Sequence, residues 1–316
     1  MAPEVSICIP AYRQPEQLER LLKSVESQQF SDFEIIVSDD SPGDEIKKCI
    51  EKFSFGNKLK YFYHSPSLGS PANWNFAFRQ AKGTLVKIMH HDDFFTTSES
   101  LGKFVKMMHD HPHADFGFSA TLIEFSGSKL TKTNRCKASQ LKKIQSFPPS
   151  LFEKNVIGAP SACIFRRNAM QYFDEELKWL VDVDWYMQFL FKNKSLAYSP
   201  ETLICTEHGG EEQTTQKVQR DKEIQLREHI YLFQKLNLDG KQQLKFSLLF
   251  QLLFHRYNVR SVSELSLYEK PDEKHKPFFE KALMEMKKNI FLKKINFWAG
   301  RNDMDDYLFM LKKKLK

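Results

Sequence analysis

The stretch Val5–Asp44, VSICIPAYRQPEQLERLLKSVESQQFSDFEIIVSDDSPGD, decides the fold. It opens with a compact apolar run that ends at Pro10. Residues 16–26 follow, with apolar side chains at helical spacing, Leu18, Leu21, Leu22 and Val25. A second apolar run then ends in the acidic pair Asp39-Asp40. These periodicities predict a buried strand, an amphipathic helix and a second buried strand.

The alternation continues downstream. Residues 68–95, LGSPANWNFAFRQAKGTLVKIMHHDDFF, predict a helix and then a strand that stops at the polar segment HHDD. A further helix is predicted over residues 98–108 and a strand over 116–125. Strands that alternate with helices at this interval form right-handed crossovers and a mostly parallel sheet covered on both faces. We therefore predict an α/β fold.

The second half of the chain is less regular. Residues 129–149 are polar and basic, which predicts a mobile loop or lid. Beyond them we predict short elements, namely a strand at 161–165, a helix at 182–191 and strands at 196–198 and 203–206. From residue 216 the pattern is helical, with helices predicted at 218–236, 242–257, 277–292 and 303–315. We expect a catalytic domain over residues 1–215 and a basic helical tail over residues 216–316.

The composition is that of a folded protein, with 41% hydrophobic and 28% charged residues among 316. This balance excludes disorder as the main state. No run approaches the ~20 apolar residues that span a bilayer, and no basic segment followed by a long apolar one marks a secretory signal. The five cysteines are scattered without a CxxC pair, which favours free thiols in a reducing compartment. We expect a cytoplasmic protein.

The positive charge lies at the C-terminal end. The net charge is +7, and residues 241–316 contain 17 Lys and Arg against 9 Asp and Glu. Basic residues interleaved with aromatic ones, such as Phe278, Phe279, Phe291, Phe297 and Trp298, suit an anionic membrane surface, which would make the protein peripheral on the inner face of the membrane. Packing on the catalytic domain and homodimer formation are the alternatives. No recognised nucleic-acid fold accompanies the charge, so we expect no nucleic-acid partner.

Acidic pairs follow two of the predicted strands. Because the carboxyl ends of parallel strands meet at one edge of a sheet, we expect Asp39-Asp40 and Asp92-Asp93 to line one crevice. Adjacent carboxylates repel each other unless a cation or hydrogen-bond donors compensate them, and Mg²⁺ or Mn²⁺ binds such oxygens together with phosphate. The alternative is that these residues are ordinary turn residues and helix caps.

These motifs, in this order, resemble the family 2 glycosyltransferases with a GT-A fold, and the resemblance covers residues 5–215. It implies a donor-binding half over about 1–115 and an acceptor half over about 116–215. It implies a nucleotide site formed by Pro10, Ala11, Tyr12, Arg13, Asp39, Asp40, Asn73 and Asp92. It also implies a divalent cation, Mn²⁺ or Mg²⁺, on Asp92 and Asp93. His90 stands where the family commonly has Asp, and it either hydrogen-bonds the nucleotide or sugar or serves as packing.

Two later segments extend the resemblance. WLVDVDWYMQFL, residues 179–190, resembles the family's Glu-Asp-Trp-Asp segment, which implies that Asp182 is the catalytic base, with Asp184 two residues later. The alternative is that either Asp caps the helix that follows. CTEHGGEEQTT, residues 205–215, places His208 where related enzymes contact the metal or diphosphate. Thr214 in the same segment would hydrogen-bond the phosphates.

The family match implies an inverting transfer of a sugar from a nucleoside-diphosphate sugar, most commonly a UDP-sugar, to a hydroxyl acceptor. We expect a saccharide or lipid-linked saccharide acceptor in bacterial surface polysaccharide synthesis (lipopolysaccharide, O-antigen or capsule). A catalytically degenerate scaffold that binds nucleotide or glycan is an alternative. A sugar-phosphate nucleotidyltransferase is another, although PAYRQPEQ lacks the Gly-rich loop that such an enzyme needs.

Overall fold

The computed structural model describes residues 2–125, 127, 130–208, 218 and 220–289. They form two compact units. One comprises residues 1–151 and 155–213, and the other residues 152–154 and 214–316. The strands are β1 Val5–Ala11, β2 Phe33–Asp39, β3 Leu59–Tyr63, β4 Leu85–Ile88, β5 Phe94–Phe95, β6 Phe116–Phe125, β7 Thr131–Asn134, β8 Cys163–Arg166 and β9 Leu196–His208.

The α-helices, in chain order, are α1 Pro15–Glu26, α2 Glu45–Ile50, α3 Ala72–Gln80, α4 Ser100–Asp110, α5 Ala138–Ser146, α6 Ser150–Glu153, α7 Val181–Lys192, α8 Lys222–Lys235, α9 Gly240–Leu244, α10 Ser247–Arg256, α11 Val262–Leu265 and α12 Lys276–Lys288. Single turns of 3₁₀ helix occupy Gly56–Lys58, Pro160–Ala162 and Arg167–Ala169.

The first unit is a sheet flanked by helices, as predicted. Its strands lie in the order β3-β2-β1-β4-β8-β6-β9-β5, with β7 paired to β6. Strands β3, β2, β1 and β4 run parallel to one another, whereas β8 runs antiparallel to both β4 and β6. Every residue of β1 and β2 is buried, which is the pattern of a parallel sheet covered on both faces.

Helix α1 forms for the reasons that the sequence predicts. Pro15 occupies the first turn, where its missing N–H costs nothing. The apolar stripe of Leu18, Leu21, Leu22 and Val25 is buried against the sheet. Gly83, before β4, lies so close to β1 that a Cβ there would be 2.6 Å from the Ser6 backbone nitrogen. The turn into β4 therefore needs glycine.

The structure corrects several predicted elements. Within residues 129–149, predicted as a mobile loop, β7 pairs with β6 and α5 buries Ile144. The two strands predicted at 196–198 and 203–206 are one strand, β9, which stays paired to β6 across two register shifts between Ser199 and Ile204. The single helix predicted over 242–257 is two helices, because the chain turns at Lys245 and Phe246.

The second unit is helical, and its core is aromatic. Phe233 of α8 stacks on Phe278 of α12, with ring centroids 4.5 Å apart, and it also contacts Phe250 of α10. Phe278 and Phe279 are buried, so these two aromatic residues of the basic tail pack inside the unit. The helix predicted at 303–315 lies outside the described residues, as do Phe291, Phe297 and Trp298. Among the described residues, no helix has the length and apolar character needed to cross a bilayer.

Candidate functional site

The carboxyl ends of β1 and β2 lie side by side. Ala11 pairs with Asp39, and Pro10 pairs with Ser38. Beyond β1 the side chain of Tyr12 is exposed, and the Arg13 guanidinium lies over its ring at 5.1 Å. The Arg13 amide donates to the Ser41 hydroxyl at 2.7 Å. Arg13 and Gln14 both have φ of 56°, a left-handed conformation that non-glycine residues adopt at a cost. The chain thus turns sharply at this edge.

The two carboxylates after β2 have different partners. The buried Asp39 accepts hydrogen bonds from the Ser41 amide at 2.9 Å and from the Tyr61 hydroxyl at 2.7 Å. Burial raises the pKa of Tyr61, and the hydrogen bond to the Asp39 carboxylate raises it further. The Tyr61 hydroxyl therefore stays protonated and donates to Asp39. Asp40 instead accepts the amides of Leu68 and Gly69 at 2.9 and 2.7 Å. Asp40 therefore holds the loop that leads into α3.

Asn73 connects α3 to the same edge. Its amide nitrogen donates to the carbonyls of Ala11 and Ser38, at 3.4 and 3.0 Å. Its amide oxygen accepts the Ser38 hydroxyl at 2.5 Å. Since both of its donors are used by the backbone, Asn73 fixes the wall of the crevice, and its contact with a nucleotide stays a prediction.

The end of β4 carries three groups that suit a metal. His90, Asp92 and Asp93 each offer one ligand atom, and these atoms all lie within 4.8 Å of one another. Burial lowers the pKa of His90 to about 4, so the imidazole is neutral at pH 7, and its Nε2 is buried without a hydrogen-bond partner. Burial, and then the charge of Asp92, raise the pKa of Asp93. A cation would satisfy both the unpartnered nitrogen and the buried carboxylate, so the residues fit Mn²⁺ or Mg²⁺.

Three further side chains lie next to this cluster, and the sequence does not predict that Ser161 and Arg20 belong to it. The ring of Trp74 lies 4.6 Å from that of His90, and the Ser161 hydroxyl accepts the His90 amide at 2.8 Å. Arg20 of α1 donates to the Asp92 carbonyl at 3.2 Å and to the Glu207 carboxylate at 2.9 Å. Pairings between residues so far apart in sequence leave no local signal.

Two predicted residues lie at the end of β9 or beyond it. β9 ends at His208 and pairs with β5, which directly follows Asp93, through Phe94 and Cys205. The backbone of β9 thus runs past the His90–Asp93 cluster. The side chain of His208 and the whole of Thr214 lie outside the described part of the structure.

The two aspartates of α7 also differ. Asp184 is buried and accepts a hydrogen bond from Gln188 at 2.8 Å. Asp182 has a buried Oδ1 without a hydrogen-bond partner, and burial raises its pKa to about 7. The N-cap of α7 is Leu180, so neither aspartate occupies the N-cap position that the capping alternative requires. Asp182 is a carboxylate that can take a proton near neutral pH.

Comparisons with known proteins identify the family. The family model described as Glycosyl transferase family 2 matches residues 6–173. The chain is 30% identical over 128 residues to the GalNAc(5)-diNAcBac-PP-undecaprenol β-1,3-glucosyltransferase of Campylobacter jejuni, and this alignment covers 40% of each protein. It is 24% identical over 320 residues to the poly(ribitol-phosphate) β-N-acetylglucosaminyltransferase TarS of Staphylococcus aureus, covering 96% of this chain and 54% of TarS. The chain thus spans only about half, or less, of these two relatives.

Solved structures support the same assignment at the level of the fold. The crystal structure of Staphylococcus aureus TarS 1–349 in complex with UDP-GlcNAc matches 90% of this chain and 80% of that chain, with a TM-score of 0.59 and 19% identity. The mannosyltransferase PcManGT of Pyrobaculum calidifontis in complex with GDP-Man and Mn²⁺ matches 100% of this chain and 81% of that one, with a TM-score of 0.54 and 13% identity. The chain belongs to glycosyl transferase family 2 and is a glycosyltransferase with a GT-A fold.

Proposed function

We propose that this glycosyltransferase inverts the anomeric configuration of its donor, and that the donor is a nucleoside-diphosphate sugar, with UDP-sugars favoured. The observation that carries the proposal is Asp182, whose unpartnered buried carboxylate oxygen has a pKa near 7. A base of that pKa is largely ionised just above neutral pH and can accept the proton of a hydroxyl group. The complex of TarS with UDP-GlcNAc supports the choice of donor.

The proposed transfer is a single displacement. Asp182 accepts the proton of the acceptor hydroxyl as that oxygen forms a bond to the anomeric carbon. The bond between the anomeric carbon and the diphosphate breaks on the opposite face, and the nucleoside diphosphate departs with the bonding electrons. Attack opposite the leaving group inverts the configuration of the sugar.

We assign the donor to the crevice at the ends of β1, β2 and β4. Pro10, Ala11, Tyr12, Arg13 and Asp39 would surround the nucleotide, and Asp40 and Asn73 would hold the walls in place. Asp92 and Asp93 would bind the divalent cation, with His90 as a nitrogen ligand, and the contact of His208 with the metal or diphosphate stays a prediction. When bound, the cation neutralises charge that develops on the diphosphate as it leaves.

The acceptor is proposed to be a saccharide or a lipid-linked saccharide in bacterial surface polysaccharide assembly. The activity of the Campylobacter relative, on an undecaprenol-linked glycan, supports this class. We propose residues 1–215 as the catalytic domain and the basic residues of 216–316 as a contact for the anionic inner face of the membrane, with packing on the catalytic domain and homodimer formation as the alternatives.

A donor panel tests the proposal. Thermal unfolding is measured with nucleoside diphosphates and nucleotide sugars, with and without Mn²⁺, followed by release of the nucleoside diphosphate in the presence of candidate acceptors. We expect one base to stabilise the protein in a metal-dependent way, by RT ln(1 + [L]/Kd), and its sugar conjugate to support turnover. Absence of stabilisation by every nucleotide would contradict the proposal.

A further inference from the structure

Lys87 of β4 lies in the interior of the first unit. It is fully buried, and it pairs with Ile7 on one side and Ile164 on the other. Its ammonium lies 4.8 Å from the ring centroid of Phe104 and 5.7 Å from that of Phe95. Burial lowers the pKa of Lys87 to about 7, which reflects the cost of keeping an ammonium group out of water. An aliphatic side chain would avoid that cost, so the polar contacts of this lysine need a reason.

The Lys87 ammonium binds backbone carbonyl groups. It donates to the Ile88 carbonyl at 2.9 Å and, in a closer contact, to the Ser161 carbonyl. Ser161 belongs to the 3₁₀ turn Pro160–Ala162, directly before β8. The lysine therefore ties this turn to the last residue of β4.

Ser161 in turn contacts the candidate metal cluster through its hydroxyl. Its Oγ accepts the His90 amide at 2.8 Å, and the same hydroxyl lies near the Asp93 carboxylate, where it opposes the rise in the pKa of Asp93 that burial causes. Ser161 is fully buried, so water does not compete for these contacts. The charge of Lys87 also lies near enough to Asp93 to favour its ionised form.

We propose that Lys87 is a positioning residue for the metal and diphosphate site. It holds the Ser161 turn so that the serine hydroxyl orients the Asp93 carboxylate and the His90 main chain for a divalent cation. This inference rests on the proposed metal-dependent function. Outer groups that orient metal ligands contribute about 10- to 100-fold to metal affinity, and we expect an effect of that size.

The test compares Lys87→Met and Ser161→Ala with the wild-type protein. Mn²⁺ affinity in the presence of UDP is measured by electron paramagnetic resonance, and thermal unfolding is recorded without ligand. Met has a similar length and no charge to bury, and such replacements often keep or increase stability. We expect both variants to fold and to lose Mn²⁺ affinity by about tenfold or more. Should Lys87→Met fail to fold, Ser161→Ala alone decides, because it removes one hydroxyl oxygen from the same chain of contacts.

A double variant separates positioning from general support. If Lys87 acts through Ser161, Lys87→Met combined with Ser161→Ala loses no more affinity than the more affected single variant. Lys60→Met is the matched control, because Lys60 of β3 pairs with Glu34 of β2 in the same sheet and its replacement should leave Mn²⁺ affinity unchanged. Mn²⁺ affinity within twofold of wild type in folded Lys87→Met and Ser161→Ala overturns the inference while the proposed function stands. A wild-type protein that transfers sugar without binding Mn²⁺ or Mg²⁺ overturns the metal part of that function, and this inference with it.

Discussion

Replacement of Asp182 by Asn removes the proposed base with little change in shape. A positioned general base contributes about 10²- to 10⁴-fold to the rate, so we expect kcat to fall by at least about 100-fold. The wild-type rate should follow ionisation of a group with a pKa of about 7. It should rise by roughly tenfold between pH 6 and pH 8 and level off above, and the residual rate of the variant should lack this step.

The same substitution has an opposite effect on stability. The pKa of Asp182 is raised in the folded state to about 7, whereas an unfolded Asp titrates near 3.9. Between these values the folded state binds more protons, so its stability falls as pH rises from about 4 to about 7. A pKa difference of about three between the two states corresponds to about 4 kcal/mol at most. Asp182→Asn should therefore unfold at a higher temperature than wild type at pH 8 and show no such gain at pH 4.

The assay is release of the nucleoside diphosphate across pH 5.5–9, paired with thermal unfolding at pH 4 and pH 8. Asp110→Asn is the control, because Asp110 is an exposed residue of α4 paired with Lys106, and we expect wild-type turnover from it. A variant Asp182→Asn that keeps more than a tenth of wild-type kcat, with the pH step intact, would refute the assignment of the base.

Three further outcomes follow from the contacts of other residues. His90→Asp exchanges a nitrogen ligand for an oxygen one, so the ratio of Mg²⁺-supported to Co²⁺-supported transfer should rise, and an unchanged ratio would argue against ligation by His90. Tyr61→Phe removes the 2.7 Å hydrogen bond to Asp39 and should raise the KM for the donor by about two- to tenfold with kcat nearly constant. An unaltered KM would contradict the assignment of Asp39 to the nucleotide site. Lys287 and Lys288, at the end of α12, should each add about 1 kcal/mol to binding of phosphatidylglycerol vesicles at low salt. Replacing both by Ala should therefore weaken the affinity for vesicles, measured by cosedimentation, at least about tenfold, and unchanged affinity would contradict the membrane contact and favour packing or dimer formation.

The sequence predicts the first half of the sheet well because that half is built from local patterns. In Val5–Asp44 the spacing of apolar residues is that of a strand, a helix and a second strand, and the structure has β1, α1 and β2 at these positions. The position of β8 between β4 and β6 is not predictable in this way, since antiparallel pairing with residues far away leaves no periodic mark. The two short strands predicted at 196–198 and 203–206 are one strand, because pairing with β6 continues across the register shifts between Ser199 and Ile204.

In the candidate site, too, the sequence predicts the residues that follow a local pattern and not their long-range contacts. The acidic pairs are visible because they follow apolar runs, whereas the distinct partners of Asp39 and Asp40 depend on Tyr61 and on the loop at Leu68. A lysine is usually exposed to solvent, and the burial of Lys87 in the interior, where its ammonium lies over the rings of Phe95 and Phe104, is visible only in the structure. Burial and hydrogen bonding also separate Asp182, which the family resemblance implies as the base, from Asp184, whose carboxylate accepts a hydrogen bond from Gln188.

The most direct test of the central proposal is the configuration of the product. The enzyme is supplied with the UDP-α-sugar that stabilises it and an acceptor saccharide that supports release of UDP, and the anomeric proton of the new linkage is followed by NMR from the first turnover. Direct displacement with Asp182 as base predicts a β-linked product. An α-linked product would contradict the proposed mechanism.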